Sequence, residues 1–155
     1  MKPNRLNRFS LLCSLICYLI VCCPPTLTAQ QQPREVVRIL AVGNSFSDDG
    51  VEYLDELAKA AGIRLIVGNL YIGGCSLERH WENVSKGLPA YDYRKNCEGV
   101  QSNTPKTSLL SALQDEPWDY ITVQQVSQNS GLYDTYYPFM PSLLQYLRTH
   151  ATNPG

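Results

Sequence analysis

The sequence has few histidines: His80 and His150 stand far apart, and no Cys-x-x-Cys pair accompanies them. Neighbouring residues therefore assemble no zinc-type ligand set. An excess of one charge is also missing. Thirteen basic residues face fourteen acidic ones, with no basic stripe, which argues against nucleic acid as a partner. No Gly-Lys-Ser/Thr follows the first strand-like run, so a phosphate-binding loop has no anchor. Internal repeats and low-complexity tracts are absent too. No apolar run reaches the about 20 residues that a membrane-spanning helix needs.

What is present begins with an export pattern. Lys2, Arg5 and Arg8 precede an apolar run over residues 9–21, and Leu27-Thr28-Ala29 offers a small-residue cleavage site. Basic, apolar and small-residue segments in that order predict a secretory signal over 1–29, followed by a linker over 30–35 and one domain over 36–155. A lipidated Cys22 or Cys23, or an uncleaved anchor, are the alternatives; beyond such an anchor no membrane partner is expected. Cleavage removes three basic residues and no acidic one, leaving ten against fourteen, or −4. It also removes four of the six cysteines, leaving Cys75 and Cys97. An oxidising compartment permits a bridge between them, although two cysteines alone do not show that they meet.

Residues 36–42 form a short β-branched apolar run that predicts a buried strand. Asp48 or Asp49 can cap a following helix, with Glu52 in capping-box spacing and Val51, Leu54, Leu57, Ala58 and Ala61 at helical intervals up to Gly62. Residues 63–72 predict a second strand, 76–86 a short helix, and 87–104 an irregular excursion or hairpin. Thr104-Pro105 has the form of a helix opening, with Leu109, Leu110 and Leu113 as its apolar side. A third strand is expected over 119–125 and a helix over 136–150.

This alternation predicts a three-layer α/β fold with a parallel sheet covered on both faces. Ligands of such sheets bind beyond the carboxyl ends of the strands. Three segments should converge there: Gly43-Asn44-Ser45, Gly73-Gly74-Cys75-Ser76 and Gln124-Gln125-Val126-Ser127. A serine at a strand-to-helix junction is a candidate nucleophile, given a base to take its proton and donors for the oxyanion. Gly74 lets a backbone amide approach a substrate oxygen. Gln124 and Gln125 point to opposite sheet faces, so one of them is placed to add a side-chain amide.

Gly43-Asn44-Ser45-Phe46-Ser47 resembles the first sequence block of SGNH (GDSL-like) hydrolases, whose Gly-Asp-Ser carries the nucleophile. Ile72-Gly73-Gly74-Cys75-Ser76 resembles their second block, and residues 119–129 occupy the place of the third. More closely, G-N-S-F-S, G-G-C-S-L and Q-Q-V-S together resemble a family of secreted Bacteroides-type proteins, DUF4886, over about residues 36–155. The resemblance implies an SGNH (flavodoxin-like) fold and a serine esterase acting on acyl groups, such as acetyl, carried by carbohydrates. It implies Ser45 as nucleophile and an oxyanion hole of Ser45, Gly74 and Gln125. Gln124, Ser127 and Tyr133 are candidate substrate contacts; neither metal nor cofactor is called for.

The chain departs from the SGNH pattern twice. Val126-Ser127-Gln128-Asn129 stands where Gly-x-Asn-Asp is usual, leaving Gln124, Gln125, Gln128 and Asn129 as alternatives for the oxyanion amide. No Asp-x-x-His block, the source of the general base, follows: His150 has Leu147 three before it. The expectation is an N-terminal part of a longer protein, inactive or nearly so by itself. Several residues also have plain readings. Cys75 suits a small buried residue and His80, beside Trp81, a packing or surface residue. Tyr133, Tyr136 and Tyr137 suit either packing or stacking on sugar rings. The rival function is a non-catalytic glycan- or partner-binding module with the same fold.

Overall fold

A computed structural model describes residues 36–153; the expected signal and linker lie outside them. Five strands and five helices follow in order: β1 (Val36–Gly43), α1 (Ser45–Val51), α2 (Leu54–Ala60), β2 (Arg64–Tyr71), α3 (Leu77–Ser85), β3 (Tyr91–Cys97), β4 (Val100–Thr107), α4 (Leu109–Leu113), β5 (Tyr120–Val123) and α5 (Phe139–His150). Two 3-10 turns, Ser127–Asn129 and Tyr133–Tyr136, join β5 to α5. No described helix is long and apolar enough to cross a membrane.

The sheet order is β4-β3-β2-β1-β5. The expected α/β layering is present, but the sheet is mixed rather than parallel. β2, β1 and β5 run parallel, whereas β3 is antiparallel to β2 and β4 to β3. The excursion after α3 is thus a hairpin. Its two-residue turn, Glu98-Gly99, places both residues at positive φ, 55° and 96°, the geometry that matches strand twist in tight hairpins. Arg64 holds Glu98 there, Nη2 to Oε1 at 2.6 Å. Thr104-Pro105 does not open a helix. It lies in β4, an exposed edge strand, where a missing N–H costs no ladder bond. The helix starts later, at Leu109, with Ser108 Oγ accepting the Ser111 N–H at 3.1 Å.

Strand alternation sorts the side chains onto two faces. Leu40, Val42, Ile66, Leu70, Tyr91 and Tyr93 face α3, α4 and α5, where Leu77, Leu113, Leu143 and Trp118 complete the core. Trp118 keeps its one polar atom satisfied, Nε1 donating to the Ala112 carbonyl at 2.8 Å. The other face lies under α1 and α2 and is thinner, with Ala41, Leu65 and Val67 buried alongside Ser47, Asp55 and Asn69.

The Cys75–Cys97 bridge is not formed; both thiols are free. Cys97 is opposite Ile66, near the start of β2, while Cys75 follows the end of that strand. The run from Ile66 to Tyr71 alone spans roughly 17 Å, far beyond the about 7 Å between Cα atoms that a disulfide tolerates.

Candidate functional site

The rim beyond β1, β2 and β5 is organised by one buried amide. Asn44, 1% exposed, follows β1 and caps α1: its Oδ1 accepts the Phe46 N–H at 3.1 Å. The aspartates at 48 and 49, expected as caps, lie inside the helix instead. After Gly50 the helix tightens, with the Glu52 N–H reaching Asp49 O at 3.4 Å, and it restarts as α2 at Leu54. Asn44 Nδ2 donates to the carbonyls of Cys75 at 3.1 Å and Gln125 at 3.3 Å. All three rim segments are therefore tied to the residue preceding Ser45. An aspartate there could cap the helix but could not donate to two carbonyls.

Ser45 is the first residue of α1 and is exposed. Among the described residues its hydroxyl makes no hydrogen bond, and neither its N–H nor that of Gly74 has an acceptor. Gly74 is exposed with φ +61°, a conformation that side chains strain to adopt. A Cβ built on it would meet nothing within 4 Å. The expected serine and glycine thus share one rim, each with an N–H that has no acceptor among the described residues.

Underneath, α1 lies close on the sheet. A Cβ on Gly43 would sit 2.6 Å from Ser47 Oγ and 2.9 Å from Gln124 Oε1, so glycine is required there. The Ser47 hydroxyl stands 2.7 Å from the Asn44 carbonyl and 2.9 Å from Asn69 Oδ1. Asn69 Nδ2 donates to Asp48 Oδ1 at 2.8 Å, and Arg94 pairs with the other Asp48 oxygen while lying 3.9 Å over the Tyr71 ring. This chain of polar contacts runs from β3 to the base of Ser45's helix. Sequence reasoning placed Asn44 on the rim without giving it a role, and missed Asn69 and Arg94. Asn69 had a signal, as an amide inside the apolar run of β2.

Gln125, the expected oxyanion side chain, is buried and already occupied. Its Oε1 accepts the N–H groups of Leu77 at 3.0 Å and Val126 at 2.9 Å, and its Nε2 donates to Thr135 O and Oγ1 at 3.2 and 3.3 Å. It fastens α3 and the second 3-10 turn to the end of β5. Gln124 points to the opposite face, as alternation requires, with Oε1 buried against Gly43 and unpartnered. Ser127 and Gln128 are exposed. Tyr133 is exposed as well, its hydroxyl 3.3 Å from that of Tyr137.

Neither histidine bonds to Ser45. His80 is fully buried, its Nδ1 3.0 Å from the Tyr91 hydroxyl, and burial pushes its pKa down to about 4. It is a neutral packing residue at ordinary pH. His150 Nδ1 lies 2.8 Å from the Tyr146 carbonyl. Burial lifts the Cys75 thiol to about 11, so it stays protonated and unreactive. Among the described residues no group of three His, Cys, Asp or Glu side chains is arranged to hold a metal ion.

Comparison with known proteins agrees with this architecture. No curated protein is significantly similar to the chain. A solved crystal structure, that of a DUF4886 family protein from Bacteroides uniformis ATCC 8492, superposes with a TM-score of 0.74 at 48% sequence identity. The match covers 77% of this chain and 47% of that one, so the chain spans about half the length of that protein. The family described as domain of unknown function DUF4886 matches residues 38–155, a stretch that takes in the sheet from the third residue of β1 onward and the whole rim around Ser45. The chain belongs to the DUF4886 family.

Proposed function

We propose that the DUF4886 domain to which this chain belongs is a serine hydrolase of the SGNH type, cleaving acyl esters, acetyl esters of carbohydrates among them. The observation that carries this reading is the exposed Ser45 on a rim locked by Asn44, where neither its own N–H nor that of Gly74 has an acceptor among the described residues. In the reaction a base removes the Ser45 proton as Oγ attacks the ester carbonyl carbon. The Ser45 and Gly74 N–H groups hold the resulting oxyanion. The carbonyl re-forms, the alcohol leaves with the base's proton, and water then releases the acid from the acyl-serine.

Gln125 serves this scheme by fixing the rim from behind, since its donors are committed to Thr135. The general base is assigned to the part of a full-length family member that has no counterpart in this chain, which spans 47% of its solved relative. Export, in this reading, follows from the basic-apolar-small pattern of residues 1–29.

The test is p-nitrophenyl acetate hydrolysis by a full-length family protein carrying this domain, against its Ser45→Ala variant. A loss of roughly 10³-fold or more is expected for a lost nucleophile; equal rates would rule Ser45 out. A second reading, a non-catalytic glycan-binding module, draws on the absence of a bonded histidine at Ser45 and on the exposed tyrosines beyond β5. Ligand binding with no turnover in the full-length protein would favour it.

A further inference from the structure

The second 3-10 turn and the outer side of α5 enclose a groove of about 640 Å³, within the range of small-ligand sites. It is lined by Tyr133, Tyr136 and Tyr137, by Met140 and Leu144, and by Arg148. Tyr133 is 73% exposed and Tyr137 53% exposed, an uncommon outlay of aromatic surface next to a turn. The rings are nonetheless positioned. Their centroids are 5.3 Å apart at 50°, and their hydroxyls approach to 3.3 Å. The intervening Thr135 is anchored by its own Oγ1 to Leu132 O at 2.6 Å and by Gln125. The Tyr136 hydroxyl donates to Ser130 O at 3.0 Å.

Charge decides what such a platform takes. Arg148 makes no ion pair among the described residues. Tyr137 also borders a smaller pocket of about 150 Å³ that holds Ser76, Gln125, Glu78 and Asp134, the first two belonging to the rim segments. The groove is therefore aromatic with one guanidinium, and the pocket it adjoins at Tyr137 is polar and acidic. A pyranose ring presents a C–H face to a tyrosine ring and hydroxyls to its edges. A carboxylate on that sugar would be drawn to the guanidinium, which can grip it through two parallel hydrogen bonds, and repelled from Glu78 and Asp134.

We propose that this groove binds a uronic-acid-bearing glycan segment, with its ring on Tyr133 and Tyr137 and its carboxylate on Arg148. Binding does not depend on Ser45; only its role as the glycan half of an ester substrate rests on the proposed hydrolase.

Calorimetric titration of the chain with trigalacturonate and with uncharged cellotriose tests this. Trigalacturonate should bind at least tenfold more tightly. Tyr133→Ala should weaken it about tenfold, Tyr133→Phe should weaken it less because the stacking ring is kept, and Arg148→Gln should abolish the preference for the charged sugar. Thermal unfolding of each variant confirms an intact fold. The titrations read binding and not turnover, so a failed hydrolase assignment would leave them untouched. Absence of binding to trigalacturonate, equal affinity for the two sugars, or a folded Tyr133→Ala that binds normally would each overturn the proposal.

Discussion

On the face covered by α3, α4 and α5, Leu40, Val42, Leu70, Leu77, Leu113 and Leu143 pack around Trp118 with little polar contact. Between α1 and the sheet, Ser47 and Asp48 of the helix join Asn69 and Arg94 of the strands in one hydrogen-bonded chain. Apolar packing is strong but has little directional preference, whereas hydrogen bonds constrain angle as well as distance. The first face supplies stability. The second aims a helix, and that helix begins with Ser45.

The comparison breaks first at the dry face. Trp118→Ala should cost about 3–5 kcal/mol through cavity formation, read as a fall in the urea midpoint. A loss below about 1 kcal/mol would show that this layer does not carry the fold. The next effect is a pH dependence seated in the same layer. His80 titrates near 4 when folded, against an ordinary value of 6.5, because it is buried and lies near Arg79. The unfolded chain takes up the proton first. Stability should therefore be highest above about pH 6.5 and fall as pH drops toward 4, by on the order of 3 kcal/mol. His80→Gln should flatten that slope; an unchanged slope would place the titrating group elsewhere.

The polar side predicts smaller losses with a functional signature. Asn44→Asp keeps the helix cap but strands the carbonyls of Cys75 and Gln125, for about 1–3 kcal/mol. Asn69→Ala should cost about 1 kcal/mol for its bonds to Ser47 and Asp48. In a full-length hydrolase it should also lower kcat with little change in KM. A KM effect alone would mean that Asn69 touches substrate rather than positioning α1. The smallest effect is chemical. Alkylation of the native protein followed by peptide mapping should find Cys97 modified and Cys75 protected, with no change in stability. Labelling of native Cys75 would show that the rim opens.

Much of the scaffold was legible in the sequence because it is local. The strand of 36–42, the strand of 63–72 and the short helix expected over 76–86 depend on residues a few positions apart. The hairpin was half legible: Glu98-Gly99 is a less common turn pair than Asn-Gly, and Thr104-Pro105 imitates a helix start because the same two residues also suit an exposed edge strand. The helix after β1 was placed too late because Asp48, Asp49 and Glu52 match a capping box, while Asn44 takes the cap by bonding Phe46.

By itself the sequence determined that three glycine- or glutamine-bearing segments follow parallel strands and that Ser45 stands at the first of them, since period and turn chemistry are read from neighbours. Only the tertiary structure decided what those segments do for one another. The Asn44 amide meets carbonyls 31 and 81 residues away, Gln125 spends its donors on Thr135, and β3 turns back against β2. Each depends on which donor finds which acceptor across the sheet, and no spacing along the chain encodes that pairing.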